Sequence, residues 1–593
     1  MSFQWSPKRS FVETDAIMCA PGMPHELETR LVNGRIYRVY KNLWQSMRDF
    51  WLSAVENHSE KTYIVYEEER LTYRQGAAIF LLAVHDKASK AAAVFRNVYG
   101  IRKGDRVGIC SRNCSQYLVA FWACHLLGAV AVLANAWLPA QPLQHCLVHT
   151  QCKLLLLDPE RADRLESDIV NLCKAAGTAE VLVFNSQEGK GIWNGMECYN
   201  SIMNRWNDRS ADWKLLPEDN ATIVFTSIGT TGLPKGVLST NRQYLTNVLN
   251  VGAATTRASL RRGDGLPSPP PGPQRGMLVA VPLYHVTGST SFSMVATSNG
   301  MKIILMRKWD PENAARLIKQ ENVAVAGGVP AMVADLTRSS LNGHPLEGLL
   351  FGGSPSPDSL AARAIEAFPN ATMSQAYGLT ETNSVAVSIA AEDYLARPSS
   401  TGRACPVNDI MIMIGDKSAG PGETGEVWLR GPNVMQEYWR DPDATHKVLT
   451  SDGWLRTGDI GLLDADGFLY IKDRLKDLII RGGENIDSVS VENALYSDAR
   501  VMEAAAVAVP DERLGELVAA VVYVKPQFRG QVTEDSLIAL ARTRLPKFAV
   551  PVMIHFQDKP FELTPSGKIM KEVLRSIARR SWEKRRAAIQ AKL

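Results

Sequence analysis

The chain has 593 residues, of which 45% are hydrophobic and 22% are charged, and its formal net charge is +4. This is the composition of an ordinary globular protein that is long enough for several domains, and so small a net charge gives no reason to expect nucleic acid as a partner. The nine cysteines are scattered without a CxxC pair, which favours a reducing compartment over a disulfide scaffold.

The N-terminal part of the chain gives little functional information. Residues 1–42 mix charges with short apolar pieces, so no signal peptide is expected there and no role is assigned to them. The longest apolar run, 119–137, is interrupted by polar residues and glycine. It predicts a helix over 119–127 followed by a buried strand over 129–134, and no transmembrane segment.

A cluster of histidines and cysteines follows at His145, Cys146, His149 and Cys152. On a helix, three of these side chains would share one face, which raises the alternative of a zinc site. The two sulfurs stand at awkward spacings for a shared metal ion, so we expect a helix without metal.

Strand-like apolar runs alternate with helical patterns through most of the chain, and this alternation predicts an α/β fold with largely parallel sheets. The clearest runs are 106–110, 153–157, 181–184, 277–281, 302–305 and 349–351. From Val407 onward, short strands with glycine turns predict a β-rich subdomain, and a shorter α+β pattern follows Asp473. The proline-rich stretch 266–273 predicts an exposed loop without assigned function.

The most informative segment, residues 226–237, reads TSIGTTGLPKGV and follows the apolar run 221–225. Glycines allow a sharp turn that brings amide groups close to a ligand, and hydroxyls and lysine add donors for phosphate oxygens. The pattern differs from the Walker loop, because its lysine is followed by glycine. It predicts a phosphate-binding loop with contacts from Thr226, Ser227, Gly229, Thr230, Thr231, Gly232 and Lys235.

This loop resembles the signature loop of the adenylate-forming superfamily, which includes acyl-CoA synthetases, luciferases and the adenylation domains of peptide synthetases. The usual form is TSGTTGxPKG, so Ile228 is an extra residue in this chain. The resemblance covers roughly residues 43–575, and the family's other motifs occur in their usual order.

The next motif, VPLYHVTG at 281–288, is similar to the part of the family that lines the acyl pocket. We expect a strand that ends at Pro282 to bring Tyr284 and His285 to the mouth of a cleft. The resemblance implies an acyl pocket of Tyr284, His285, Gly288 and Gly328. His285 stands about where amino-acid-activating relatives have an aspartate, so an α-amino acid is a disfavoured substrate.

Two further motifs, GGSPS at 352–356 and QAYGLTE at 375–381, indicate nucleotide binding. The first lets a flat adenine approach the backbone, and the second offers an aromatic ring for stacking, a hydroxyl for phosphate and a carboxylate for Mg²⁺. The resemblance implies nucleotide contacts from Gly353, Ser354, Gln375, Tyr377, Gly378 and Thr380, and a magnesium site at Glu381 and Thr230.

The C-terminal motifs are RTGD at 456–459, DRLKD at 473–477, GGEN at 482–485 and TPSGK at 564–568. A carboxylate at a turn can accept both ribose hydroxyls, and a mobile lysine suits an attack between two anions. The resemblance implies ribose or phosphate contacts from Asp459 and Arg474, a hinge at Lys476, CoA contacts from Gly482 and Gly483, and a catalytic lysine at Lys568.

Taken together, the resemblance implies an AMP-forming acyl-CoA ligase that uses ATP, Mg²⁺ and CoA, with Lys568, Thr380, Glu381 and His285 as its catalytic residues. The expected substrate is a medium- or long-chain acid, or an acid of specialised metabolism. Two alternatives stay open: another acceptor, as in carrier-protein ligases or luciferases, and a non-catalytic homologue, because of Ile228.

Three segments are expected: an N-terminal extension of unknown role (1–42), an AMP-binding domain (43–473) and a mobile C-terminal domain (474–593). The chain ends in Ala591-Lys592-Leu593, which resembles the peroxisomal address SKL. We therefore expect a peroxisomal import receptor as a partner, and a cytoplasmic location if that address is not used.

Overall fold

The structure is a computed structural model that describes residues 5–74, 83–184, 189–206, 214–226, 233–268, 271–354, 358–475, 477–482, 484–564 and 567–590. Four large sheets and a two-stranded hairpin make up its β structure. Two of these sheets form layered α/β units, a third is antiparallel, and the fourth belongs to the C-terminal part of the chain.

The first sheet has eight strands, and its centre is parallel. Its central strands are short, largely apolar and buried, as in sheets that are covered by helices on both faces. In spatial order the strands are Glu437–Tyr438, Gly236–Thr240, Asn220–Phe225, Val130–Leu133, Arg106–Cys110, Leu154–Leu157, Glu180–Val183 and Glu197–Cys198.

The second sheet has nine strands with a parallel centre, and the strand that carries the QAYGLTE motif is one of them. In spatial order the strands are Arg403–Ala404, Ser384–Ala390, Thr372–Leu379, Gly348–Gly352, Val323–Gly328, Gly276–Val279, Lys302–Leu305, Thr62–Tyr66 and Glu69–Thr72. Since strands of a parallel sheet end at one edge, this sheet brings several of the predicted motifs together.

Helices pack against these sheets. The longest described helix is Asn241–Arg262, which has 22 residues, and a capping box formed by Thr240 and Gln243 stabilises its N-terminus. The remaining helices before residue 475 are Phe11–Met18, Met47–His58, Val84–Asn97, Ser115–Leu127, Ala140–His149, Pro159–Leu165, Ile169–Ala176, Tyr199–Arg205, Val295–Ser298, Pro311–Gln320, Pro330–Leu336, Asp358–Ala367, Ala391–Ala396 and Pro442–Val448. Short 3₁₀ helices occur at Glu166–Asp168 and Thr380–Thr382, and a π-helix at Thr287–Met294.

The third sheet is antiparallel and has five strands, which accounts for the change of pattern after Val407. In spatial order they are Lys417–Ser418, Asp409–Ile414, Gly425–Arg430, Leu455–Leu463 and Leu469–Arg474. The last two strands pair Asp459 with Arg474, so this sheet places two predicted ribose contacts side by side.

The C-terminal unit begins after this sheet and has hydrophobic clusters of its own. Its strands are Glu484–Ile486, Ile479–Arg481, Gly515–Val524 and Val501–Asp511, and Met553–Phe556 pairs in parallel with Gly515–Val524. Its helices are Ser488–Tyr496, Glu534–Arg542 and Lys571–Gln590, with 3₁₀ helices at Pro526–Phe528 and Lys547–Ala549.

The N-terminal segment is an integral part of the large unit. Asp15 forms an ion pair of 2.7 Å with the buried Arg257 of the long helix. The hairpin Leu27–Val32 and Arg35–Tyr40 continues toward the third sheet, where the side chain of Arg38 pairs with Asp409. The segment therefore joins the long helix to the antiparallel sheet.

The expectation of a mixed α/β fold with a large N-terminal domain and a smaller C-terminal domain is confirmed. The apolar run 119–137 forms the end of the helix Ser115–Leu127 and the strand Val130–Leu133, as predicted. Over the described ranges, every helix is too short or too polar to cross a lipid bilayer.

Candidate active site

The phosphate loop is closed at its base by two antiparallel strands. Phe225, at the end of one strand, pairs with Gly236, at the start of the next. Thr226 N–H donates to the Lys235 carbonyl over 2.9 Å, and Lys235 N–H donates to Thr226 Oγ1 over 3.2 Å. The predicted contacts Ser227, Gly229, Thr230, Thr231 and Gly232, and the extra residue Ile228, lie outside the described residues.

Lys235 and Glu381 are connected through a tyrosine that no sequence motif marks. The Lys235 ammonium lies 4.9 Å from the centre of the Tyr438 ring, a cation–π contact. The Tyr438 hydroxyl donates a hydrogen bond of 2.7 Å to Glu381 Oε1. Tyr438 therefore orients the carboxylate predicted to bind magnesium, and links it to the phosphate loop.

The turn that carries Thr380 and Glu381 has an unusual backbone. Asn383 and Ser384 follow the 3₁₀ helix with φ angles of +52° and +95°. A side chain at Gly378 would overlap the Ser384 carbonyl oxygen, so only glycine fits there. The buried Asn433 supports this turn, because its side-chain amide donates to the Thr382 carbonyl over 2.8 Å.

Asp459 is buried and held by two partners. The Tyr377 hydroxyl donates to Asp459 Oδ2 over 2.6 Å, and Arg474 Nε lies 3.3 Å from Oδ1. Burial raises the pKa of Asp459, while Arg474, Tyr377 and Lys568 act in the opposite direction. The structure places Asp459 and Arg474 side by side, and their predicted role as ribose or phosphate contacts stays a prediction. The role of Tyr377 as a partner of Asp459 was not foreseen.

Lys568 lies on a turn of the C-terminal unit, where its N–H donates to Thr564 Oγ1 over 3.0 Å. Its side chain reaches the large unit, since the Lys568 Cε atom is 3.8 Å from the position that a Cβ would take on Gly353. Burial, and next the charge of Arg474, lower the pKa of Lys568 to about 8, while Asp459 and Glu381 oppose this shift. The lysine thus stands among the predicted nucleotide contacts.

This shift leads to a prediction for the pH dependence of a reaction that needs the charged lysine. A lowered pKa means that the ammonium loses its proton near pH 8, well below the ordinary range for lysine. We expect kcat/KM for adenylation, the attack of a carboxylate on ATP that the family resemblance implies, to fall as the pH rises above about 8, because this parameter reports the free enzyme. Lys568→Arg should be slower but should lack this alkaline decrease. A wild-type profile that stays flat to about pH 10 would contradict the assignment.

His285 is one of the residues predicted to line the acyl pocket. The π-helix Thr287–Met294 begins two residues after it. π-Helical turns occur often at functional sites. Burial, and next the charge of Lys568, lower the pKa of His285 to about 3, so its imidazole is neutral at physiological pH. His285 is therefore close to Lys568 and offers neither a positive nor a negative charge to a substrate.

The segment before His285 differs from the expected strand. The strand Gly276–Val279 ends three residues before Pro282. The buried Asn113 takes over the hydrogen bonding of this segment: its amide donates to the Val281 carbonyl over 3.0 Å, and it accepts from Leu283 N–H over 2.9 Å. Nothing in the sequence around Asn113 indicated this role.

The other predicted acyl-pocket residues are close to this segment. Tyr284 is buried, and its hydroxyl has no hydrogen-bond partner within the described ranges. A side chain at Gly288 would overlap the Pro282 carbonyl oxygen, and one at Gly328 would come within 2.8 Å of the Met332 sulfur. Both glycines therefore allow close packing around the segment that carries His285.

Gln375, one of the predicted nucleotide contacts, has an unpaired side-chain acceptor among the described residues. It lies on the strand Thr372–Leu379, next to the strand that leads to Gly353 and Ser354. Its side chain is 7% exposed, and Oε1 has no partner among the residues that the structure describes. Because an unpaired buried acceptor is costly, Oε1 is suited to a ligand that carries an N–H group, such as the adenine amine.

Some predicted residues cannot be placed. Lys476, Gly483 and the terminal Ala591-Lys592-Leu593 lie outside the described residues, whereas Gly482 is described and has a φ of +59°. The roles of all these residues stay predictions.

The histidine and cysteine cluster takes the form of a helix, Ala140–His149. The rings of His145 and His149 stack with centroids 5.3 Å apart, and the Cys152 sulfur contacts Thr150 Oγ1 at 3.1 Å. No group of three or more metal-binding side chains occurs in the described part of the chain.

The fold and the site together define a class of enzyme. Two strands close the base of the predicted phosphate loop, and a lysine from the C-terminal unit lies close to Gly353, where its charge interacts with Asp459 and Glu381. Such an arrangement suits the adenylation of a carboxylic acid. The family model described as AMP-binding enzyme matches residues 51–439, and the one described as AMP-binding enzyme C-terminal domain matches residues 490–568. The chain belongs to the family of AMP-binding enzymes.

Curated relatives cover most of the chain. It is 31% identical over 516 residues to the long-chain-fatty-acid–CoA ligase FadD13 of Mycobacterium tuberculosis, with 85% of this chain and 93% of that protein covered. It is 32% identical over 486 residues to feruloyl-CoA synthase of a Streptomyces species, with 80% and 89% covered. These similarities agree with the expected class, and the chain is an acid–thiol ligase of the AMP-forming type.

A solved structure of a CoA synthetase is also similar to this chain. The o-succinylbenzoate CoA synthetase MenE of Bacillus subtilis, in complex with the acyl-adenylate OSB-AMP, has a TM-score of 0.71 and 26% identity, with 88% of this chain and 97% of that chain covered. The predictions of the adenylate-forming family, of its fold and of its enzyme class are confirmed.

Proposed function

We propose that the protein activates a carboxylic acid with ATP and transfers the acyl group to CoA, and that the residues described above carry out this chemistry. The observation that carries the proposal is the position of Lys568, which the C-terminal unit brings against Gly353 on the large unit. Its charge interacts there with Asp459 and Glu381. A lysine in this position serves a reaction between two anions.

In the first step a carboxylate oxygen attacks the α-phosphorus of ATP, an acyl–phosphate bond forms, and pyrophosphate leaves. Asp459 accepts the ribose hydroxyls, and Gln375 accepts the adenine amine, so the nucleotide is fixed in one orientation. Lys568 lies between the two reacting anions and stabilises the negative charge that develops on the phosphate oxygens.

Magnesium is expected at Glu381 and Thr230, and Glu381 fits this role. Its Oε1 accepts from Tyr438, which orients the carboxylate for a hard cation that prefers oxygen ligands. When bound, the ion would neutralise phosphate charge. Support also comes from MenE of Bacillus subtilis, which has been solved in complex with ATP and magnesium ion.

In the second step the thiol of CoA loses its proton to solvent and its sulfur attacks the acyl carbon. A thioester forms, and AMP leaves with the electrons of the broken acyl–phosphate bond. Splitting the reaction makes a poor electrophile reactive, because AMP is a good leaving group. The family resemblance implies that the C-terminal unit turns about Lys476 between the steps, and that Gly482 and Gly483 then help to admit CoA.

The acid is a medium- or long-chain acid or an acid of specialised metabolism. The neutral His285 offers no anion to an α-amino group, which disfavours amino acids. The relatives named above are fatty-acid, ferulate and succinylbenzoate enzymes by name, so the family accommodates both aliphatic and aromatic acids.

The first half-reaction tests this proposal without CoA. Purified protein is incubated with ATP, Mg²⁺, labelled pyrophosphate and one acid at a time from a panel of short, long, aromatic and hydroxylated acids. We expect acid-dependent exchange of label into ATP. Exchange with amino acids alone would contradict the substrate class, and no exchange with any acid would contradict adenylation.

The base acceptor gives a more specific prediction. Because Gln375 Oε1 needs a donor, the wild type should prefer ATP over a purine riboside triphosphate that lacks the amine by about tenfold in kcat/KM. Gln375→Leu should lose most of this preference by losing activity with ATP. An unchanged preference in the variant would show that another group reads the base.

The location of the protein is a separate proposal. Ala591-Lys592-Leu593 would bind the peroxisomal import receptor, and the basic helix Lys571–Gln590 leads to this tripeptide. A fluorescent fusion that keeps the natural C-terminus should enter peroxisomes, and removal of the three residues should leave it in the cytosol. Import that survives this deletion would overturn the proposal.

A further inference from the structure

A buried hydrogen bond joins the large unit to the C-terminal unit. Asp473 lies on the last strand of the third sheet, Leu469–Arg474, and its Oδ2 accepts from Ser488 N–H over 2.6 Å. Ser488 is the first residue of the helix Ser488–Tyr496, which belongs to the C-terminal unit. Asp473 is 4% exposed and Ser488 is 0% exposed, so water does not compete for this bond.

The same serine is held from the other side by a half-buried lysine. Lys571 Nζ donates to Ser488 Oγ over 2.5 Å and forms an ion pair of 2.7 Å with Glu492 on the same helix. Burial alone would lower the pKa of Lys571, but the charges of Glu492 and Asp473 raise it above the ordinary value for lysine. One positive and two negative groups therefore meet at the start of this helix.

Lys571 is also close to the reaction centre along the chain. It is the first residue of the helix Lys571–Gln590 and follows Lys568 by three positions. Thr564 N–H donates to the Lys568 carbonyl over 2.6 Å, so the backbone around Lys568 is held just before the start of this helix. Anchoring Lys571 thus limits where the Lys568 side chain can reach.

The surroundings of this contact are loosely packed. A cavity of about 720 Å³ lies between the two units, and its lining includes Lys472, Asp487 and Ser490, which are close neighbours of Asp473 and Ser488 in sequence. Apolar packing is therefore incomplete at this part of the interface. A directional, charge-assisted hydrogen bond defines the relative position of two units better than loose packing does.

We propose that Asp473, Ser488 and Lys571 form an interdomain latch that holds the C-terminal unit in the arrangement in which Lys568 enters the nucleotide site. These residues are positioning residues for adenylation and do not touch the reacting atoms. The latch must open before Lys568 can leave for the second step, since Asp473 and Ser488 belong to different units. This inference rests on the proposed function, because it assumes that the two steps need different arrangements.

The two half-reactions test the latch separately, and Ser488 allows a sharp variant. Proline is tolerated at the first position of a helix, so Ser488→Pro keeps the helix and removes both the N–H that bonds Asp473 and the hydroxyl that bonds Lys571. We expect Asp473→Ala and Ser488→Pro each to slow adenylation by about tenfold or more, with thioester formation from supplied acyl-AMP unchanged or faster. Asp473→Asn, which keeps an acceptor, should restore part of the rate.

Two controls separate the latch from general damage. Asp498→Ala removes a carboxylate that pairs only within the C-terminal unit, with Arg500 at 2.7 Å, and should leave both half-reactions unchanged. Asp473→Ala and Ser488→Pro share the loss of the hydrogen bond between the units, and Ser488→Pro also removes the hydroxyl that Lys571 contacts. The double variant should therefore be less slow than the product of the two single losses. Equal losses in both half-reactions, or additive losses in the double variant, would overturn the latch.

A conformational measurement is independent of the acid. Fluorophores at the exposed positions Val170 and Lys559 report the distance between the units by energy transfer. Asp473→Ala should lower the fraction of molecules in the present arrangement, and an unchanged fraction would overturn the latch. If the wild type forms no acyl-AMP with any acid and the fraction still shifts, the proposed function fails and the latch stands.

Discussion

Lys568→Ala should slow acyl-AMP formation by a hundredfold or more, on the order of the loss seen when one donor to a developing oxyanion is removed. The reason is the position of Lys568 next to Gly353, where its charge interacts with Asp459 and Glu381. Thioester formation from supplied acyl-AMP and CoA should change little, because the lysine has left the site by then. Single-turnover measurements of each half-reaction check this result.

Lys559 provides a matched control for this variant. It belongs to the same C-terminal unit and is exposed, so Lys559→Ala should leave both half-reactions as they are. If Lys568→Ala slows the two half-reactions equally, the lysine acts through the fold and not through the adenylation step.

Gly378→Ala should destabilise the protein by more than about 3 kcal/mol and abolish adenylation. The added methyl group would overlap the Ser384 carbonyl oxygen, which belongs to the backbone and cannot move away cheaply. Any relief must shift the turn that carries Tyr377, Thr380 and Glu381. Thermal unfolding and pyrophosphate exchange measure the two effects.

Gly252→Ala is the control for the loss of a glycine. Gly252 lies within the long helix, and a Cβ there would meet no atom within 4 Å. Alanine is preferred to glycine in a helix by about 1 kcal/mol, so this variant should be slightly more stable and fully active. A Gly378→Ala protein with normal stability and activity would show that the turn adapts to the added methyl group.

Much of the fold follows from local patterns in the sequence. The short apolar runs form the parallel strands of two sheets, and the change of pattern near Val407 marks the antiparallel sheet. The spacing of apolar residues indicates which side chains are buried, and turn residues indicate where an element ends. Strands and changes of sheet type can therefore be predicted from local sequence. The strand before Pro282 was predicted too long, because the side chain of Asn113 supplies hydrogen bonds that a neighbouring strand would otherwise make.

The residues of the candidate site were singled out through motifs that resemble those of a family, and their roles stay predictions, but their supporting partners were not predictable. Tyr438 reaches Glu381 across 57 positions of sequence, and Asn433 reaches Thr382 across 51. Such partners meet only in the folded chain and stand in no recognisable motif. The N-terminal segment is a similar case: Asp15 finds Arg257 at a separation of 242 positions, which no local pattern indicates.

The measurement that tests the central claim most directly is mass spectrometry of the products formed from ATP, Mg²⁺, CoA and a panel of carboxylic acids. If the protein is an acyl-CoA ligase that forms acyl-AMP, we expect AMP, pyrophosphate and one dominant acyl-CoA in equal amounts. Acyl-AMP should accumulate when CoA is left out. Acyl-AMP without thioester in the presence of CoA would mean that another molecule accepts the acyl group. ADP in place of AMP, or neither AMP nor acyl-CoA with any acid, would contradict the account.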